Sequence, residues 1–267
     1  MLRSPFALCH ALSLVLSLAL PVIGLSACSD PSALTPEAQA DQNKKDLSNG
    51  AARVRDEKYD EAEAMFARVL KVDPENSDAI AGMGRVKLGQ SKLDEAVAML
   101  ERAAAKRPDD GALQASLGEL YAKLERHADA ATAYGLAFKA DPNNGNLGIS
   151  QGRALQKSKQ LDQAEAVLRE VAKNDAQAEY VYTELGDVLR AQGKLDESLH
   201  SYMKALIEHV GDEKAHAGAA EVYELQNNRG KAIDEWSTYI RMDCCSEYSN
   251  NVAKKRIKAL QDAAAAG

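Results

Sequence analysis

The chain has 267 residues, 45% hydrophobic, 27% charged and only 5% aromatic, with a formal net charge of −7. This composition excludes a disordered chain, and plentiful alanine with few β-branched residues favours helix over sheet. The acidic balance argues against nucleic acid as a main partner, because phosphate binding needs a basic face.

Residues 1–27 read as a targeting segment. Arg3 supplies a positive start, and residues 11–25 form an apolar run too short for a comfortable membrane span. The run ends in Leu25-Ser26-Ala27-Cys28, which resembles the lipobox of bacterial lipoproteins. The resemblance implies cleavage before Cys28, diacylation of its thiol and acylation of its new amine. An ordinary secretory signal with an incidental cysteine is the alternative. Two or three acyl chains anchor stably where one is marginal. Ser29 stands where Asp commonly marks inner-membrane retention, so the resemblance implies an outer-membrane lipoprotein facing the periplasm. Residues 28–42, with Pro31 and Pro36 among small polar residues, read as the lipidated cysteine and a flexible tether. Extended, it would reach about 45 Å.

From residue 43 one frame of 34 residues recurs six times, as 43–76, 77–110, 111–144, 145–178, 179–212 and 213–246. Position 8 is small: Gly50, Gly84, Gly118, Gly152, Gly186 and Ala220. Position 20 is also small: Ala62, Ala96, Ala130, Ala164, Ser198 and Ala232. Position 24 is large: Phe66, Leu100, Tyr134, Leu168, Tyr202 and Trp236. Pro74, Pro108 and Pro142 close the first three units. Small residues let two antiparallel helices approach, a large one fills the groove to the next pair, and proline stops the second helix. Asp60-Glu61, Asp94-Glu95, Asp162 and Asp196-Glu197 stand where carboxylates would cap that second helix and complement its dipole. These acids recur with the repeat, which favours capping over acid–base chemistry.

The pattern resembles the tetratricopeptide repeat. The resemblance implies an all-α, right-handed superhelical solenoid of six helix pairs. Residues 247–263 are expected to add a capping helix, its apolar stripe Val252, Ala253, Ile257 and Leu260, with Lys254, Lys255, Arg256 and Lys258 facing solvent. A basic membrane-surface or partner helix is the other reading. The adjacent Cys244 and Cys245 admit three readings: free thiols, an intermolecular disulfide, or a redox or metal site.

No metal motif, phosphate loop or nucleophile elbow appears, so neither an enzyme nor a cofactor is expected. The resemblance implies protein binding in a concave groove lined by the first helix of each unit, at repeat positions 2, 5, 6, 9, 12 and 13. Candidate groove residues are Arg85, Glu119, Lys123, Arg153, Lys157, Glu184, Asp187 and Glu221. Arg85, Lys123, Arg153 and Lys157 would make its middle basic, and Glu184, Asp187, Glu221 and Glu224 its C-terminal part acidic. A solvated face of mixed charge is the alternative. The Lys and Asn set of chaperone-tail-binding members is absent. The layout is similar to lipoproteins serving type IV pilus secretins, tight-adherence pili or gliding motility. It implies a scaffold helping to assemble an outer-membrane motility or pilus machine. The alternative is an adaptor for peptidoglycan synthesis or outer-membrane protein assembly.

Overall fold

The computed structural model describes residues 34–175, 178, 180–243 and 246–265. The expected signal segment, Cys28, Cys244 and Cys245 lie outside the described residues. Packing divides the chain into residues 1–40 and residues 41–267. The first unit contributes residues 34–40, which hold the opening of α1 (Pro36–Arg55). In the second unit α1 continues and is followed by α2 (Tyr59–Val72), α3 (Ser77–Gly89), α4 (Leu93–Lys106), α5 (Gly111–Lys123), α6 (His127–Ala140), α7 (Gly145–Lys157), α8 (Leu161–Asn174), α9 (Val181–Ala191), α10 (Leu195–Glu208), α11 (Glu213–Leu225) and α12 (Arg229–Met242). A π-turn at Ser249–Ala253 then leads into α13 (Lys254–Ala265). No strand occurs among the described residues.

The expected tether is shorter than the sequence reading placed it. Residues 36–42 are helical, because Pro36 has the φ a first helical residue needs and Thr35 Oγ1 accepts from the Ala38 N–H at 3.2 Å.

The small and large positions meet as close packing requires. A β-carbon at Gly50 would stand 2.8 Å from Phe66 Cζ, at Gly84 2.6 Å from Leu100 Cγ, and at Gly152 2.8 Å from Leu168 Cγ. In the first five pairs only glycine lets the first helix lie this close to the large residue of the second, whereas in the sixth Ala220 packs against Trp236. Phe66 reaches further, into space at Gly82 that a β-carbon would close, and Tyr202 does the same at Gly218. Each ring therefore sits between two glycines, one in its own unit and one in the next. Ala62, Ala96, Ala130, Ala164 and Ala232 are fully buried at the helix crossings. At this position in the fifth unit, the buried Ser198 hydroxyl donates to the Gly186 carbonyl at 2.7 Å.

Neither kind of turn depends on one residue type. Within pairs, the turn is made by a left-handed residue: Glu57, Ser91, Glu125, Lys159, Gly193 or Asn227. Only one of these is glycine. The next amide closes each turn on a carbonyl five residues back, as Lys92 does to Lys87 at 2.9 Å and Lys194 to Leu189 at 2.9 Å. This Schellman-type closure recurs in all six turns and holds the left-handed residue whatever its side chain. Between pairs, α8, α10 and α12 stop at the same frame position as α2, α4 and α6, although they lack the proline.

The acids Asp60-Glu61, Asp94-Glu95, Asp162 and Asp196-Glu197 stand in the first turn of the second helices, where they complement the dipole, and not at the capping positions. The capping positions Lys58, Lys92, Arg126, Gln160 and Lys194 make no side-chain cap. Two of the acids reach the following unit: Gln192 Nε2 donates to Asp162 at 2.9 Å and Gln226 Nε2 to Asp196 at 2.8 Å. Asn76, Asp110 and Asp212 do cap, accepting from the third amide of α3, α5 and α11.

One charge pair ties the first helix pair together. Asp46, 3% exposed, accepts from Arg68 Nε at 2.9 Å and Nη2 at 2.7 Å. These bonds from Arg68 hold the Asp46 carboxyl below its usual range, against the opposing effect of burial. A carboxyl lowered on folding stabilises fully above its unfolded value and loses that contribution as pH falls through its folded value. Asp46→Asn is expected to flatten the loss of thermal stability between about pH 5 and pH 3. Melting curves across that range read it, and parallel wild-type and variant profiles would refute it.

Candidate partner groove

The first helices of the first three pairs build a cavity of about 650 Å³. Its lining comes from α1 (Leu47, Ser48, Ala51, Val54 and Arg55), α3 (Asp78, Gly82 and Arg85) and α5 (Ala112, Ala115 and Ser116), with the Phe66 ring of α2 as its floor. Every lining residue except Phe66 occupies one of the six groove positions of the frame. Alanine and glycine at those positions leave the volume open.

The charged candidates fall into different environments. Arg85 is half-buried in this cavity, and its Nε donates to Ser116 Oγ at 3.0 Å. Burial lowers the pKa of its guanidinium. Asp78 and Asp110 lie near it, but both are held by Arg107, at 2.5 and 3.3 Å. Glu119 and Lys123 pair along α5 at 3.1 Å, both about half exposed. Lys157 is exposed at the end of α7.

The expected division into a basic middle and an acidic end does not hold. Arg153 Nη2 lies 2.7 Å from Glu184 Oε1, so the two zones neutralise each other. That bond raises the Arg153 pKa despite burial. Further along, Arg190 Nη1 lies 2.5 Å from Glu221 and Nη2 3.2 Å from Asp187. Tyr202 donates to the same Asp187 at 2.6 Å. Arg190 occupies position 12 of its unit, one of the six groove positions, so the frame marks it.

Arg256 does not face solvent. The sequence reading places it in solvent. It lies 3.4 Å from Glu221 and 3.3 Å from Glu224, with its guanidinium 5.3 Å from the Trp236 ring centre. The π-turn adds a residue to the helical register and turns Arg256 onto α11. Ala253, Ile257 and Leu260 pack with Ala220, Trp236 and Tyr239 as the apolar stripe requires. Among the described residues no group of three His, Cys, Asp or Glu is placed to hold a metal. No helix among them is long and apolar enough to cross a membrane.

Models of the tetratricopeptide repeat match residues 53–124, 112–144 and 149–213. No curated protein matches the sequence. Solved structures with the same fold include PilF of Pseudomonas aeruginosa, 14% identical, covering 81% of this chain and 99% of that one, with a TM-score of 0.64. PilW, described as a widely conserved type IV pilus biogenesis factor, is 20% identical, covers 79% of this chain and 97% of that one, and has a TM-score of 0.63. YrrB, described as having an unusual peptide-binding site, is 20% identical, covers 71% and 97%, and has a TM-score of 0.58.

Proposed function

Because this chain is a tetratricopeptide-repeat protein, we propose that it is a lipid-anchored scaffold, not an enzyme, that helps assemble an outer-membrane pilus or motility machine. The observation that carries the reading is the cavity of about 650 Å³, open and lined almost wholly by first-helix groove positions. The fold likeness to PilF and PilW supports a pilus setting. The Leu25–Cys28 sequence supports the anchor. In this reading the acyl chains on Cys28 hold the solenoid at the membrane, and the groove grips a segment of the machine's own protein.

Three variants test it in cells. Cys28→Ser is expected to move the protein from the membrane to the soluble fraction; retention in the membrane would remove the anchor. A photo-crosslinking residue at Ala51, in the groove wall, is expected to trap a pilus or motility component. The same residue at Lys139, exposed on α6, is expected to trap none. Equal adducts from both sites, or no envelope adduct from Ala51, would overturn the scaffold reading.

A further inference from the structure

We propose that Arg85 is the receptor for an Asp or Glu side chain on a partner protein segment whose flanking aliphatic side chains fill the cavity between α1, α3 and α5. The inference rests on the groove being the partner-binding face and names what that face takes.

The argument starts from bonds that run from one first helix to the next. Arg153 of α7 reaches Glu184 of α9, and Arg190 of α9 reaches Glu221 of α11. Arg256 of α13 continues the series onto Glu221 and Glu224. In each the arginine charge meets a carboxylate. Arg85 of α3 makes the same step to α5, from the same frame position as Arg153, but the residue it meets is Ser116. Ser116 stands where α9 has Glu184. The series therefore contains one rung whose carboxylate is replaced by a hydroxyl.

A half-buried guanidinium without a carboxylate carries a desolvation cost that a hydroxyl offsets only in part. The lowered pKa of Arg85 is that cost expressed on the side chain. The two nearby acids, Asp78 and Asp110, oppose that lowering from a distance, but the contacts they make are with Arg107 and not with Arg85. Arg55, exposed on the rim of the same cavity, adds a second positive charge. Arg55, Arg85 and Arg107 thus face two carboxylates, Asp78 and Asp110, which leaves one positive charge unmatched at a site that also holds Leu47, Ala51, Val54, Phe66, Ala112 and Ala115.

Those walls decide the class of ligand. A free anion would leave the apolar surface wet. A lipid headgroup or nucleic acid would need a broad basic face, which a chain of net charge −7 does not offer here. An acidic residue between aliphatic ones meets both demands. It gives a charge-assisted bond at Arg85 and apolar burial beside it.

The test uses the full-length chain in detergent and a displayed library of random peptides. Enriched sequences are synthesised with blocked ends and measured by fluorescence anisotropy. They are expected to carry Asp or Glu flanked by Leu, Ile, Val or Met. Changing that acid to its amide is expected to weaken binding about tenfold or more. Arg85→Gln should give the same loss, with little added when the two changes are combined. Ser116→Glu builds the missing rung inside the chain and should weaken binding to a similar degree while circular dichroism stays unchanged. If Ser116→Glu misfolds, Arg85→Gln and the amide peptides still decide. Failure to enrich any peptide, enrichment without an acid, binding only through a free C-terminal carboxylate, or full affinity in a folded Ser116→Glu variant would each overturn the assignment. So would a groove occupied by a second copy of this chain. Crosslinks from Ala51 that persist in such a case would keep the scaffold reading and remove only the role of Arg85.

Discussion

Trp236→Ala is expected to cost about 3–5 kcal/mol and to release α13 from the last helix pair. Trp236 is fully buried. Its ring meets Tyr239 edge-on at 5.9 Å and Tyr248 at 6.3 Å, and its Nε1 donates to Glu224. Arg256 lies against the ring and also binds Glu224. One side chain therefore joins α11, α12 and the cap. In a stacked array each unit is stabilised by its neighbours, so a terminal unit without its cover exposes a whole apolar face. Alanine would leave a cavity there, strand the Glu224 carboxylate and free Ala253, Ile257 and Leu260 from their partners. Trp236→Phe keeps most of the packing and loses the hydrogen bond, so its cost should be nearer 1–2 kcal/mol by the usual value of such bonds, about that size. Denaturant unfolding followed by circular dichroism gives the stability, and hydrogen exchange on α13 gives the release. Protection of α13 equal to wild type in Trp236→Ala would show that the cap is held elsewhere. Trp236 is the chain's one tryptophan, so wild-type fluorescence reports the docked cap directly.

Phe66→Ala is expected to have a comparable effect at the other end, about 3–5 kcal/mol. The ring is 2% exposed and lies between Gly50 and Gly82, so neither neighbour has a side chain to move into the space it vacates. Ala62, Val69, Ala79 and Met83 form the cluster around it, with Leu47 and Val54 of α1 packed on top. The loss should fall on α1 first, because a terminal helix has a neighbour on one side only. The Asp46–Arg68 pair would then be left to hold α1 to α2 with little apolar support. Phe66 is also the floor of the groove cavity, so the same change should reduce affinity for an acidic peptide even where the fold survives at low temperature. Proteolysis that cuts first within residues 41–55, together with a lower unfolding midpoint, is the expected pattern. An unchanged midpoint would mean that the two glycines close over the gap.

The functional reading and the fold were legible to different depths. The 34-residue frame depends on which residues are small at positions 8 and 20 and which is large at position 24. Gly84 against Leu100 and Gly152 against Leu168 belong to single helix pairs, separated by one short turn. Such contacts are written in spacing, so sequence periodicity reveals them. The groove positions follow from the same spacing, and the cavity lining falls on them. The charge pattern along the groove was misread because charges were summed by zone. Arg153 and Glu184 come from different units, and their distance depends on how α7 and α9 stack.

The identity of the repeat, its period, its close-packed positions and its terminal Trp236 were set by residue type and interval alone, because each reflects a contact within one helix pair or its neighbour. Three things were decided only by the folded chain. The left-handed turns at Glu57, Ser91, Glu125 and Lys159 carry no glycine signal, since the backbone bonds that close each turn outweigh the preference of the side chain. The π-turn after Tyr248 sends Arg256 onto Glu221 and Glu224 rather than into water. Arg85 faces Ser116 where Arg153 faces Glu184. Ion pairing depends on distance in space, and the stacking of helices far apart in sequence determines which charge remains without a carboxylate.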